Sequence, residues 1–304
     1  MKKNIFSSGI FLPMTLFMYT CSYFNSNAQA TLKGGISFPS SLGHGDSEDW
    51  PLSVIQSSDC LHYYFAGFSQ YHDENNGCGN NDIVRAPIIG KLNPITGELL
   101  WEKEYNVVIG YGNFTKIFEA DDGFIWAVGG QQKTPCVFSS WSMIIVKVDP
   151  ITGIPETGYP KFFDPDLDNN SSTTDVLQSR IFSSDPFYNN GNFNGFVSSG
   201  RAQTNGETFN RAMISKTNAD GTTDTDFGTN GYYFGPANSE ARTVIQITGS
   251  SEIKFVYIGD INVSATDKDV LVEAIDEDGQ LVWSQQFSES NLSSVYTDET
   301  QNDA

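Results

Sequence analysis

The 304-residue chain is poor in the groups that usually announce an enzyme or a nucleic-acid binder. It holds three histidines, four cysteines and only 17 Lys+Arg against 37 Asp+Glu, for a formal net charge of −20. So few bases exclude a basic footprint for phosphate backbones or anionic membrane surfaces. His44, His62 and His72 show no zinc spacing, and H-E-x-x-H, G-x-S-x-G and P-loop strings are missing. Gly110-Tyr111-Gly112 starts like a dinucleotide motif, but Thr115 stands where its third glycine belongs. No stretch beyond the N-terminus is apolar for long enough to span a bilayer, and none shows sustained 3.6-residue periodicity with caps. Aromatic residues, at 13 %, are plentiful enough for a packed core.

The N-terminus has the pattern of an export signal. Lys2 and Lys3 supply the positive start, Ile10 to Tyr19 the short apolar stretch, and Ala28-Gln29-Ala30 the small-x-small cleavage site. Cleavage after Ala30 would leave a soluble chain that is secreted or held at the outer cell surface. Acylation at Cys21 is the rival reading, set against the poor context of Tyr19-Thr20.

What the chain does have is an internal repeat. Four segments join an apolar strand to a tight Asx-to-Gly turn and then to a second strand: Ile88 to Trp101, Met143 to Gly153, Ala212 to Gly221 and Val270 to Trp283. Asn or Asp folds its side chain onto nearby backbone, and the closing glycine tolerates positive φ, as a hairpin turn requires. Upstream of each lies another pair of β-rich runs, for example Phe114 to Ala120 and Phe124 to Gly130 around Asp121-Asp122-Gly123. Each module therefore reads as four short strands, a to d. The expected fold is all-β: a β-propeller-like array of four-stranded antiparallel blades, incomplete or open. The expected divisions are a signal peptide (1–30), a lead-in (31–50), blades over 51–110, 111–166, 167–236 and 237–290, and a fifth-blade start or tail (291–304). A plain β-sandwich and a stacked open array are the alternatives.

The strings GKLNPITGELLWEKEYN and EAIDEDGQLVWSQQF resemble the repeat of quinoprotein-like propellers, in which a turn glycine is followed by a docking tryptophan. With FEADDGFIWAVGG, they also resemble repeats of secreted β-propeller proteins of the type IX secretion kind, and TNADGTTDTDFGTNGYYF resembles the short delta-60 β-repeat. The resemblance implies the fold and an extracellular setting. It does not carry over the quinone cofactor PQQ, because those enzymes hold it against adjacent cysteines and this chain has no Cys-Cys. Trp101, Trp126, Trp141 and Trp283 accordingly read as inter-blade core.

In such an array the b–c and d–a connections share one face. Here they are the long ones: 71–82, 131–140 and 203–209, then 106–113 and 164–175. Elaborated loops on a rigid scaffold are where binding concentrates, so this face is the expected site for an extracellular protein or glycan. Cys78 and Cys136 fall in neighbouring b–c loops and form the expected disulfide. Cys60 lies at an a–b turn, a strand of roughly 23 Å away, and is expected to be unpaired; three free thiols are the alternative. Asp164, Asp166, Asp168, Asn170 and Asp175 follow the oxygen-ligand spacing of a twelve-residue Ca²⁺ loop, although Asn169 replaces its glycine. The alternative is a solvated acidic loop. Asp220, Asp224 and Asp226 form a second, weaker cluster, and Asp276 and Asp278 read as turn formers. No catalytic set emerges. A binding module is the leading expectation, and an enzyme of quinoprotein-like or glycan-active type on the same face is the alternative.

Overall fold

A computed structural model describes residues 48–73, 83–105, 110–132, 141–163, 176–189, 191–204, 206–264 and 266–288. Among these residues there is no helix, and sixteen strands form four antiparallel four-stranded sheets. The first sheet comprises β1 (Glu48–Gln56), β2 (Tyr63–His72), β3 (Ile83–Leu92) and β4 (Leu99–Glu104). The second comprises β5 (Gly112–Glu119), β6 (Ile125–Gln132), β7 (Trp141–Val148) and β8 (Lys161–Phe163). The third is β9 (Val176–Asn189), β10 (Asn192–Thr204), β11 (Arg211–Asn218) and β12 (Tyr232–Ala237), and the fourth β13 (Ser239–Gln246), β14 (Phe255–Asn262), β15 (Lys268–Ile275) and β16 (Leu281–Phe287). Strand order follows chain order in all four.

The turns between third and fourth strands form as their side chains dictate. Asn93 Oδ1 accepts from the backbone N–H groups of Ile95 and Thr96, Asp149 Oδ1 from those of Ile151 and Thr152, and Asp276 Oδ1 from those of Asp278 and Gln280. The closing glycines 97, 153, 221 and 279 have φ of 70, 65, 72 and 76°, a region that costs other residues about 1–2 kcal/mol.

No sheet of this size buries both faces alone, so the sheets pack in series. Tyr64, Ala66 and Ile89 of the first sheet meet Phe114, Ile117 and Ile144 of the second. Trp126, Val128 and Met143 of the second meet Phe196, Met213 and Tyr232 of the third. Phe187, Ile214 and Phe227 of the third meet Val244, Phe255 and Tyr257 of the fourth. The turns of the second and third sheets also dock on the preceding sheet. The Pro150 carbonyl accepts from Tyr64 Oη and Lys91 Nζ, at 3.1 and 3.0 Å, and the Asp220 carbonyl accepts from Tyr159 Oη and Lys161 Nζ, at 2.6 and 2.8 Å. Packing runs from first sheet to second, second to third and third to fourth, and the array is not closed. First strands of neighbouring sheets touch, β1 on β5, β5 on β9 and β9 on β13, which puts them along the inner side.

Each first strand carries a β-bulge, with Leu52, Thr115, Phe182 and Arg242 as the extra residues. Opposite each bulge the second strand has a glycine: Gly67, Gly129, Gly200 or Gly259. A Cβ at any of these would come within 1.8–1.9 Å of a first-strand carbonyl oxygen. The bulge brings the two backbones together there, and only glycine admits it.

Of the four tryptophans read as inter-blade core, Trp126 is fully buried between the second and third sheets and Trp101 is partly buried between the first and second. The other two depart from the inter-blade expectation. Trp141 lines a cavity, and Trp283 lies 36 % exposed on β16. Trp283 occupies the position of Trp101 in its repeat, but no following sheet covers it among the described residues. Cys60 also departs from expectation: it is disulfide-bonded. Strand length bounds the reach of a sheet but not the course of the segments joining strands, so it could not exclude a partner. Cys78 and Cys136 lie outside the described residues.

Candidate functional site

The bulges and the starts and ends of strands build a cavity of about 370 Å³ lined by Leu52, Phe68, Arg85, Tyr111, Asn113, Trp141, Arg180 and Arg201. Seven of these lie in strands; the eighth, Tyr111, makes a parallel β-bridge to Arg85. Most of the strand residues lie in the half of their strand nearer a b–c or d–a connection, which puts the cavity toward that side of the sheets. Leu52 is the extra residue of the β1 bulge, and Phe68 and Arg201 directly follow the bulge-facing Gly67 and Gly200. A bulge re-aims the side chains beside it, and here that delivers one apolar, one aromatic and one cationic group to the same space.

The arginines are held by flat rings. Arg85 stacks on Phe68 and Tyr111, with its guanidinium carbon 5.0 and 5.2 Å from their centroids, and its Nε donates to Gln70 Oε1 at 2.7 Å. Arg180 lies 5.0 Å over Trp141 and 5.7 Å from Phe182. Phe182, the extra residue of its bulge, also faces Arg201 and Arg242 at 6.0 and 4.7 Å. Such contacts orient a guanidinium and add modest attraction without neutralising it.

Their compensation is uneven. Glu240, 8 % exposed, pairs with both Arg201 and Arg242, and Arg242 pairs also with Asp260. Among the described residues, neither Arg85 nor Arg180 forms an ion pair. Burial, followed by the positive charge of Arg201, holds Arg180 below the ordinary arginine value; Arg85 and Arg242 add to this, and Glu240 opposes it. Among the described residues the lining has no carboxylate, histidine, cysteine or serine. What the lining offers chemically is three guanidiniums beside aromatic rings.

The residues singled out from sequence fare differently. Asp164, Asp166, Asp168, Asn170 and Asp175, the Ca²⁺ candidates, lie outside the described residues, as do the leader and Cys21. Asp220, Asp224 and Asp226 are not drawn into a ligand cluster: Asp220 Oδ1 accepts from Thr222 N and Oγ1, while Asp224 pairs with Lys216 at 2.9 Å. No group of three or more metal-ligating side chains occurs among the described residues. Sequence reasoning named none of the cavity's arginines, which lie up to 116 positions apart (Arg85 to Arg201). One signal was present: the chain has five arginines, and three of them sit within strands that line the cavity. No protein-family model matches the chain, and a search of curated proteins returns no match, so the cavity itself is the ground for a functional reading.

Proposed function

We propose that this chain is an exported, non-enzymatic propeller-like binding module that holds an extracellular protein or glycan on its b–c/d–a face. The observation that carries the reading is the cavity on that face, seven of whose eight described lining residues, all three arginines included, are fixed by strands. A pre-formed concave site with a few placed polar groups and apolar walls is what ligand recognition uses. The Lys2–Ala30 pattern supports export.

The test is a combined glycan and peptide array probed with the full mature chain and with Trp141→Ala. Binding that the substitution abolishes supports the reading. Binding that it leaves unchanged places the ligand elsewhere and sinks it. Turnover of a bound glycan, lost on replacing a single carboxylate, would make the protein an enzyme instead.

A further inference from the structure

Within that reading of the cavity as the binding site, we infer that its ligand is a glycan bearing a uronate, with the sugar carboxylate on Arg180 and Arg85 and the ring against Tyr111 and Trp141. The argument begins with charge. In a chain of net −20, two guanidiniums with no carboxylate partner among the described residues converge on one cavity. Partly buried charges are costly unless paired, and among the described residues the nearby buried carboxylate, Glu240, is already taken by Arg201 and Arg242. An incoming anion would complete the set.

The shape of the anion follows from the donors. A guanidinium offers a planar fork that matches the two oxygens of a carboxylate. Arg180 and Arg85 are already oriented by stacking and by Gln70, so little ordering remains to oppose binding. Phosphate and sulfate share the forked geometry, but their polymers carry dense negative charge into the field of an acidic protein. A uronate brings a single charge, on a ring whose faces are apolar and whose edges are hydroxylated. Phe68, Tyr111 and Trp141 provide walls for the faces, and Asn113 provides a polar group for an edge. An aspartate or glutamate side chain would satisfy the arginines but brings no ring to lie against the aromatic lining.

The experiment compares methyl glucuronide with methyl glucoside, which differ only in carboxylate against hydroxymethyl, by titration calorimetry and ligand-observed NMR on the mature chain. Inorganic phosphate and an Asp-Gly-Asp peptide are the competing probes. The glucuronide is expected to bind at least tenfold more tightly than any of them, and to weaken as salt is raised from 50 to 500 mM. Arg180→Gln should lose at least tenfold and Arg180→Lys, which keeps the charge without the fork, several-fold. Because Arg180 also packs on Trp141, Arg85→Gln is a second probe with the same expected loss, and thermal unfolding shows that each variant is folded. Equal affinity for the glucoside, tighter binding of phosphate or peptide, or glucuronide affinity unmoved in folded Arg180→Gln overturns the inference. If an array ligand abolished by Trp141→Ala proves neutral or peptidic, the uronate assignment falls while the binding-module reading stands; if nothing depends on Trp141 or Arg180, both fall.

Discussion

Gly97 and Gly153 close turns of the same sequence, Asx-Pro-Ile-Thr-Gly, in the same left-handed conformation, yet they meet different surroundings. A Cβ at Gly153 would lie 2.8 Å from the Trp101 ring, whereas one at Gly97 would meet nothing within 4 Å. Gly97→Ala should therefore cost only the backbone strain, about 1–2 kcal/mol. Gly153→Ala should cost that strain plus displacement of Trp101, about 2–4 kcal/mol in all. Urea unfolding of the two variants measures the difference, and equal costs would show that the turn does not bear on the tryptophan. The glycine and its Asx partner were readable from sequence because a tight turn is local chemistry. That one glycine touches a ring and its twin does not was unreadable, because it depends on which sheet comes before.

At the scale of the strand, β4 carries an acid out of its usual range. Burial, with Asp49 and Glu104 adding like charge, pushes Glu102 up to about 7. Relative to its ordinary 4.5, the folded chain then binds an extra proton between about pH 4.5 and 7. Stability is greatest below that window, falls as pH rises through it and levels off above. Glu102→Gln should remove the decline and raise stability at pH 8 by about 1–2 kcal/mol, discounted for partial exposure. Thermal unfolding at pH 5 and pH 8 checks both parts, and an unchanged slope would assign the decline to other groups. Strands were largely legible as β-branched and aromatic runs between turn signals. The bulges were not, although the glycines facing them were in view, because a glycine inside a strand has several causes and only pairing register identifies this one. The arginine cavity stayed hidden for the same reason, since it is assembled from residues beside bulges in different sheets.

Across the whole molecule, the repeat supplies its own control. Trp101 and Trp283 each follow their turn glycine by four positions, but among the described residues only Trp101 has a following sheet that docks on it. Trp101→Ala should destabilise by about 3 kcal/mol, as removal of a packed tryptophan does, and Trp283→Ala by less than about 1 kcal/mol. Chemical denaturation of both would expose an error in the order of the sheets if the costs were reversed. The cavity adds a further consequence for the molecule at large. Since seven of its eight described lining residues belong to strands, the charge the cavity presents is set by the frame, and the segments that join those strands in sequence are left to diversify. Replacing residues 133–140 with a short Gly-Ser bridge should leave glucuronide affinity within a few-fold of the original. Reach and selectivity toward larger partners could then change without rebuilding the anchor.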